Sequence, residues 1–360
     1  MYFGELATND ALGCYLAHSI KLPQKRLRKG LKLTAELLAE LESNGIAQVV
    51  VARLDGSDVH EDQAASMLAS ELCGINVHCG EARTGRVNLY ASKTGLLTLS
   101  RYGILASNSV DSNITIATLP EYQWVQAGRM VATVKIISYA VSEQVLQQSV
   151  NILSTHGETV AIHEPRAQGA HLIQTQLHGT SDALLEKTEQ ITRNRLMARQ
   201  VELVSTSVCE HSEQSLTMCI QELKEKENCG GHDWLLIIGA SAISDIADVI
   251  PSVIIKHGGH IQRFGIPVDP GNLLLLGNID SHPVIGLPGC ARSPKLNGFD
   301  RFIDRLSCKL PINDEWINSL AVGGLLGEVF ERPQPRTLTV GKTVIKPACQ
   351  TTCHRYLLSC

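Results

Sequence analysis

The stretch Asp233-Trp-Leu-Leu-Ile-Ile-Gly-Ala-Ser-Ala242 decides the fold that this sequence predicts. An unbroken apolar run followed by a glycine is typical of a buried strand that ends in a sharp turn. Two more apolar runs lie downstream beside loops rich in glycine and proline, at residues 273–276 and 283–287. In open α/β sheets, ligands bind beyond the carboxyl ends of the strands, so we expect the functional groups in these loops.

Strand and helix patterns alternate on the amino-terminal side of this stretch. We predict strands at residues 170–175 and 201–205, and helices at residues 180–199 and 212–226. This alternation favours an α/β domain over residues 170–330, with a mostly parallel sheet and helices on both faces.

Residues 1–165 predict a separate, mixed α+β region that is rich in short strands. A helix at residues 34–42 has Thr34 as its N-cap and a stripe of leucines on one face. We expect a second helix to begin with Asp58 as its cap. Residues 337–360 show no periodicity, and we expect an irregular tail there that is either disordered or poorly packed.

Composition and charge exclude several classes of protein. The chain has 360 residues, 44% of them apolar, and a net charge of -4, so the total charge indicates no basic face for nucleic acid. It contains no apolar run of about 18 residues, and its N-terminus lacks a basic segment followed by an apolar one. We therefore expect a cytoplasmic protein with no membrane partner.

The 11 cysteines are scattered, and none forms a Cys-x-x-Cys pair. Cys349, Cys353 and His354 make a compact cluster, but a second ligand pair at the spacing of a zinc site is missing. We therefore predict no metal site. Without a signal peptide, the thiols are expected to be reduced and mostly buried.

The loop after the first apolar run offers groups that can bind an anion. Gly239 permits a tight turn, Ser241 supplies a hydroxyl, and the backbone amides of Ala240 and Ala242 can face a phosphate. The alternative is that these small residues only allow a helix to pack closely.

Two acids, Asp245 and Asp248, follow this loop and would share one face if they lay on a helix. Carboxylates at this position either take part in catalysis or complement the positive end of a helix dipole. The pattern allows both roles.

The segment Asp269-Pro-Gly-Asn272 predicts a turn, because Pro270 presets φ and Gly271 supplies a positive φ. A buried strand is expected to follow it. We interpret Pro270, Gly271 and Asn272 either as part of the binding site or as a purely structural turn.

The most specific pattern lies between Gly286 and Asn297. The loop is shaped by Gly286, Pro288 and Gly289, and it then presents the donors Arg292, Ser293, Lys295 and Asn297. Two cations with hydroxyl and amide donors fit a phosphate or another dense acceptor group. A solvated loop is the alternative. Cys290 has no histidine beside it in the sequence, so we expect an unreactive thiol.

Together these loops resemble the molybdopterin-binding domain family, which includes molybdopterin adenylyltransferase, molybdopterin molybdenumtransferase and gephyrin. Residues 239–245, 267–272 and 286–293 match the family's loops in order and spacing. Residues 10–18 and 29–33 look like opening segments of the molybdenumtransferase architecture. The pattern is most similar to the MoaB/Mog-like, molybdopterin-binding half that precedes a cytidylyltransferase domain in fusion proteins.

The resemblance implies a molybdopterin-binding protein that acts in molybdenum cofactor biosynthesis or maturation. Asp245 and Asp248 would then be the catalytic residues, and the glycine-rich loops would hold molybdopterin, with Mg²⁺ and a nucleotide as further ligands. The resemblance also implies self-association, and a separate nucleotidyltransferase or a molybdoenzyme chaperone as partner.

Departures from the family pattern leave a non-catalytic alternative open. Asp269 and Asn272 replace the usual lysine and its surroundings, Cys290-Ala291 replaces Asn-Pro, and no Gly-Asp-Glu motif follows the strand at residues 170–175. A nucleotide loop is also absent after Arg336. The chain is therefore expected to be either a nucleotidyl- or molybdenum-transferase, or a carrier or regulatory module. An unrelated nucleotide binder is less favoured, because no G-x-G-x-x-G or P-loop motif is present.

Overall fold

A computed structural model describes residues 1–226 and 233–326 of the chain. The strands are β1 (Tyr2–Ala7), β2 (Tyr15–Leu16), β3 (Ile20–Lys21), β4 (Arg26–Leu27), β5 (Gln48–Arg53), β6 (Asp58–His60), β7 (Val77–Cys79), β8 (Arg86–Ala91), β9 (Gly95–Leu99), β10 (Ile114–Thr118), β11 (Trp124–Val125), β12 (Met130–Ile136), β13 (Ala140–Ser142), β14 (Val160–His163), β15 (Gln168–Gln176), β16 (Val201–Glu210), β17 (Trp234–Ile238), β18 (His260–Phe264), β19 (Leu275–Ile279) and β20 (His282–Leu287). The helices are α1 (Ala35–Ser43), α2 (Glu61–Leu72), α3 (Arg101–Asn108), α4 (Glu143–Thr155), α5 (Asp182–Met197), α6 (Glu213–Lys226), α7 (Val249–Lys256), α8 (Gly298–Ser307) and α9 (Asp314–Ser319).

A six-stranded sheet forms the centre of the α/β part, in the order β16-β15-β17-β20-β19-β18. β16, β15, β17 and β20 are parallel to one another, which confirms the predicted α/β class and mostly parallel sheet. β19 is antiparallel to its two neighbours, β20 and the outermost strand β18. Only Asp280 and Ser281 connect β19 to β20, and a connection this short can form a hairpin but not a parallel crossover.

Helices cover both faces of this sheet, as the sequence predicted. Along β17, the side chains of Trp234, Leu236 and Ile238 belong to one core with Leu196 of α5 and with α8 and α9. The alternate residues of β17 belong to a second core with α6 and α7. Because successive side chains of a strand point to opposite faces, one uninterrupted apolar run supplies both cores.

The N-terminal part is built from small sheets, in keeping with the predicted mixed α+β character. The strand sets are β1-β5-β2, β3-β4, β6-β13, β10-β12-β8-β7 and β11-β9-β14. β14 pairs with β9, whereas β15 pairs with β16 and β17, so the backbone leaves the small sheets between His163 and Gln168.

One predicted helix start is correct and another is wrong. Thr34 caps α1 through its side chain, which accepts the Leu37 N–H. Asp58 does not cap α2, because residues Asp58–His60 pair with β13 as β6. His60 is the N-cap instead, and its Nδ1 accepts the Asp62 N–H.

Two further predictions concern membranes and the tail. Within residues 1–226 and 233–326, no helix is long and apolar enough to cross a membrane. The tail predicted at residues 337–360 lies outside the described part of the chain.

Candidate functional site

The predicted loops meet at one end of the six-stranded sheet, where the parallel strands have their carboxyl ends. β17 and β20 are parallel and end side by side, with Ile238 opposite Leu287. β19 is antiparallel to β20, so Leu275 near its beginning lies opposite Gly286 at the same end. The loops at residues 239–248, 265–274 and 288–297 therefore lie together at the carboxyl ends of the parallel strands, the place where α/β sheets bind ligands.

The loop after β17 is held by two side chains from other elements. The Ala240 N–H donates to Thr175 Oγ1 of β15 at 3.0 Å, and Arg292 Nη2 donates to the Gly239 carbonyl at 3.1 Å. A Cβ atom at Gly239 would lie 2.6 Å from the Ser241 carbonyl oxygen, so only glycine fits there without a shift of the backbone. The loop presents Ser241 and Ala242 to solvent.

Arg292 is half-buried beneath the loop after β17. Its Nη1 donates to Thr188 Oγ1 at 2.8 Å, in addition to the bond to the Gly239 carbonyl. No carboxylate in the described part of the chain forms an ion pair with it, and burial lowers the pKa of its guanidinium. Arginine stays charged at physiological pH, so this side chain adds positive potential beneath the loop.

The two acids after the loop have local structural partners. Asp248 is the N-cap of α7, where its Oδ1 accepts the Val249 N–H at 2.7 Å. Asp245 Oδ1 accepts the Ala247 N–H at 2.8 Å. Both acids precede the helix, so they do not share a helical face. Their described contacts match the structural alternative of the sequence analysis, while the catalytic role stays a prediction.

The turn at residues 269–272 packs against the beginning of α8. Gly271 has φ +127°, and a Cβ atom there would lie 2.4 Å from the Gly298 nitrogen. The Gly298 N–H donates to the Pro270 carbonyl at 2.8 Å, and the Asn272 carbonyl accepts the Ile266 N–H at 2.9 Å. The Asp269–Pro270 peptide bond is cis. The turn is thus fixed beside the loop that follows β20.

The predicted donors of the loop after β20 are used in different ways. Asn297 is buried, caps α8 by accepting the Phe299 N–H, and donates its amide to the carbonyls of Cys290 and Lys295. Ser293 Oγ accepts the Lys295 N–H at 3.3 Å. Asn297 therefore shapes the loop from within, and the hydroxyl of Ser293 can still donate.

The glycines and the thiol of this region also have defined surroundings. A Cβ atom at Gly286 would lie 2.6 Å from Ile243 Cδ1, so this glycine lets β20 pack under the loop after β17. Pro288 and Gly289 begin a short 3-10 turn that ends at Arg292. Burial raises the pKa of the Cys290 thiol, which agrees with the expected low reactivity.

Arg195 of α5 was not identified from the sequence, although it holds the loop after β20 in place. Its side chain is 7% exposed and pairs with Asp300 Oδ1 at 3.0 Å. It also donates to three carbonyl groups of the loop, those of Ala291, Ser293 and Lys295. It lies three residues after Thr192 and seven after Thr188 on the buried face of α5, and this helical spacing was the available signal.

Thr175 and His211 were also missed, and they connect the sheet to Ser241. Thr175 Oγ1 lies 2.7 Å from His211 Nδ1, and His211 Nε2 lies 3.4 Å from Ser241 Oγ. Thr175 is at the end of β15 and His211 directly follows β16. Parallel strands bring these two residues to one end of the sheet, and no short motif in the sequence marks the pair.

A separate cavity of about 500 Å³ reaches Val268 beside the turn. Its other walls come from the N-terminal part, from α8 and from residues 319–326, and they include Arg101, Leu105 and Arg301. Sequence patterns did not indicate it, because its walls come from distant segments of the chain.

Comparison with known proteins gives limited similarity. A family model described as a domain of unknown function, DUF8806, matches residues 5–53, the part that runs from within β1 to the end of β5. No curated protein matches the chain.

Two solved structures of proteins from molybdenum cofactor biosynthesis are similar to part of the chain. The crystal structure of the molybdopterin biosynthesis MoeA protein from Pyrococcus horikosii is 14% identical, with 70% of this chain and 79% of that chain covered and a TM-score of 0.29. A molybdenum cofactor biosynthesis protein from Pyrococcus furiosus is 13% identical, with coverages of 86% and 64% and a TM-score of 0.23. At these TM-scores, any functional proposal has to be supported by this chain's own residues.

Proposed function

We propose that this protein binds molybdopterin in the biosynthesis or maturation of the molybdenum cofactor. The sequence resemblance of three loops to the molybdopterin-binding domain family suggests the ligand. The observation that carries the proposal is the convergence of those same loops at one end of the sheet. Loops that are far apart in the sequence could resemble a family by chance, but a shared crevice is what a common ligand requires.

The crevice has the chemistry that a phosphate-bearing pterin needs. Ser241 is exposed in the loop after β17, and the cationic Arg292 lies beneath that loop. Backbone amides of the loop supply further donors for an anion. Arg195 and Asn297 hold the opposite wall in one conformation, which reduces the ordering that binding would otherwise demand.

The test is retention of pterin by the intact chain. The protein is purified from cells that make molybdopterin, and bound pterin is oxidised to a fluorescent product and quantified. We expect pterin to be retained, and Ser241→Trp to abolish retention by filling the crevice. Leu105→Trp is the matched control, because it places the same bulky side chain in the separate cavity. No pterin on the wild-type chain, or equal loss in both variants, would contradict the proposal.

A second candidate is a non-catalytic carrier that binds molybdopterin and hands it to a partner. The observation that favours it is the local use of both acids, with Asp248 capping α7 and Asp245 accepting the Ala247 N–H. The partner would be a nucleotidyltransferase or a molybdoenzyme chaperone.

Turnover separates the two candidates. The pterin-loaded protein is incubated with Mg²⁺ and either ATP or CTP, or with molybdate, and the products are resolved chromatographically. A carrier leaves the pterin unchanged. A transferase converts it, and then Asp245→Asn or Asp248→Asn should slow the conversion while pterin retention persists.

A further inference from the structure

Three side chains form a hydrogen-bonded row that runs from the sheet to the crevice. Thr175 is fully buried, His211 is partly buried and Ser241 is exposed. Thr175 Oγ1 lies 2.7 Å from His211 Nδ1, and His211 Nε2 lies 3.4 Å from Ser241 Oγ. Each hydrogen bond in such a row has a direction, and the direction decides whether Ser241 donates or accepts at its outer end.

The direction follows from the inner end of the row. The Ala240 N–H points at Thr175 Oγ1 at 3.0 Å, and a backbone N–H can only donate, so the hydroxyl oxygen is an acceptor there. The hydroxyl proton needs an acceptor of its own because the side chain is buried. Among the described residues, His211 Nδ1 is the acceptor within hydrogen-bond distance. Thr175 therefore donates to Nδ1.

A neutral imidazole whose Nδ1 accepts carries its proton on Nε2. This N–H faces Ser241 Oγ and donates to it, so the proton of the serine hydroxyl is left to point into the crevice. In the opposite tautomer, Thr175 Oγ1 would accept two hydrogen bonds and its own buried proton would lack an acceptor, which is unfavourable.

We infer that Thr175 and His211 are positioning residues that fix Ser241 as a hydrogen-bond donor to an oxygen anion, such as a phosphate monoester. Neutral His211 then cannot act as the base for Ser241, so the serine is a ligand-binding group and not a nucleophile. The inference rests on the proposed function only for the source of the phosphate. A ligand group that offers a donor at this point would compete with the serine proton and be rejected.

The tautomer is measured on the full chain without any ligand. Histidines are labelled with ¹⁵N, and two-bond ¹⁵N–¹H spectra are recorded at about pH 8, where imidazole is neutral. The chain has 13 histidines, and His211 is assigned by the signals that disappear in His211→Asn. We expect a protonated Nε2 and an unprotonated Nδ1. A protonated Nδ1 overturns the inference.

Binding is measured with inorganic phosphate as the probe. We expect phosphate to shift the His211 Nε2 signal, and Ser241→Ala and Thr175→Val each to weaken phosphate binding about tenfold, the usual effect of one lost charge-assisted hydrogen bond. Thr175→Ser keeps the hydroxyl and should bind as the wild type does, and it also keeps the test valid if the valine variant fails to fold.

Thr192→Val is the matched control, because Thr192 is equally buried but its hydroxyl has no hydrogen-bond partner in the described part of the chain. This variant should bind phosphate normally. Unweakened phosphate binding by a folded Thr175→Val, or no response of the wild type to phosphate, overturns the inference. Neither result depends on pterin, so failure here is distinct from failure of pterin retention.

Discussion

Replacing Arg195 with methionine should destabilise the α/β part strongly, because one buried cation holds the loop after β20. The guanidinium pairs with Asp300 at 3.0 Å and donates to the carbonyls of Ala291 at 2.6 Å and Lys295 at 2.8 Å. It also donates to the Ser293 carbonyl. Methionine fills a similar volume but supplies none of these hydrogen bonds, so a buried carboxylate loses its closest cation.

The size of the effect follows from these four hydrogen bonds. Bonds to a charged group contribute about 1.5–3 kcal/mol each, so their simple sum would be about 6–12 kcal/mol. The sum overstates the loss, because Asp300 still accepts the Asn297 N–H at 2.9 Å and has Arg199 at 3.9 Å. Of the freed carbonyls, those of the partly exposed Ser293 and the exposed Lys295 can also turn toward water. We therefore expect a decrease of about 3–5 kcal/mol in the free energy of unfolding, as for other broken buried ion pairs.

The assay is urea unfolding followed by intrinsic fluorescence, since Trp234 and Trp316 belong to the same core as Ala291 of this loop. Arg193→Met is the control on the same helix. Arg193 is 43% exposed, pairs with Glu189 and donates one long hydrogen bond of 3.3 Å to the Leu203 carbonyl, so its loss should cost about 1 kcal/mol. Arg195→Met should also expose the loop after β20 to proteolysis. A decrease no larger than that of the control would refute the reasoning.

Three further predictions concern single positions. Thr192→Val should raise the free energy of unfolding by about 0.5–1 kcal/mol, because it removes a buried hydroxyl without a partner in the described part of the chain; lower stability in urea would contradict this. Gly271→Ala should lower the free energy of unfolding by at least about 2 kcal/mol in the same assay, because its Cβ would lie 2.4 Å from the Gly298 nitrogen. Gly13, at φ +77° with open space around it, is the control, and Gly13→Ala should lower the free energy of unfolding by about 1 kcal/mol. A hydrogen bond from Cys73 lowers the pKa of Cys79, so iodoacetamide should begin to modify Cys79 at a lower pH than it modifies an ordinary thiol. Cys73→Ala should raise the pH at which this modification begins. Mass spectrometry measures the modification in the two proteins, and the same starting pH in both would contradict the assignment.

Local sequence patterns were sufficient to predict those structural features that depend only on residues close together in the chain. The five-residue apolar run of β17 predicted a buried strand, and Thr34 was recognised as the cap of α1. Both follow from interactions within one turn or one strand. Asp58 shows the limit of such patterns, because pairing of β6 with a strand about 80 residues away overrides a good local cap.

The sequence by itself determined the α/β class, the helices on both faces of the sheet and the order of the three loops. Tertiary structure alone decided the antiparallel pairing of β19 with β18 and β20, the anchoring of the loop after β20 by Arg195, and the row from Thr175 through His211 to Ser241. The physical reason is that periodicity and turn chemistry report a residue's nearest neighbours in the chain. Which strand ends lie side by side depends instead on the packing of the whole sheet, and that packing selects the side chains that meet.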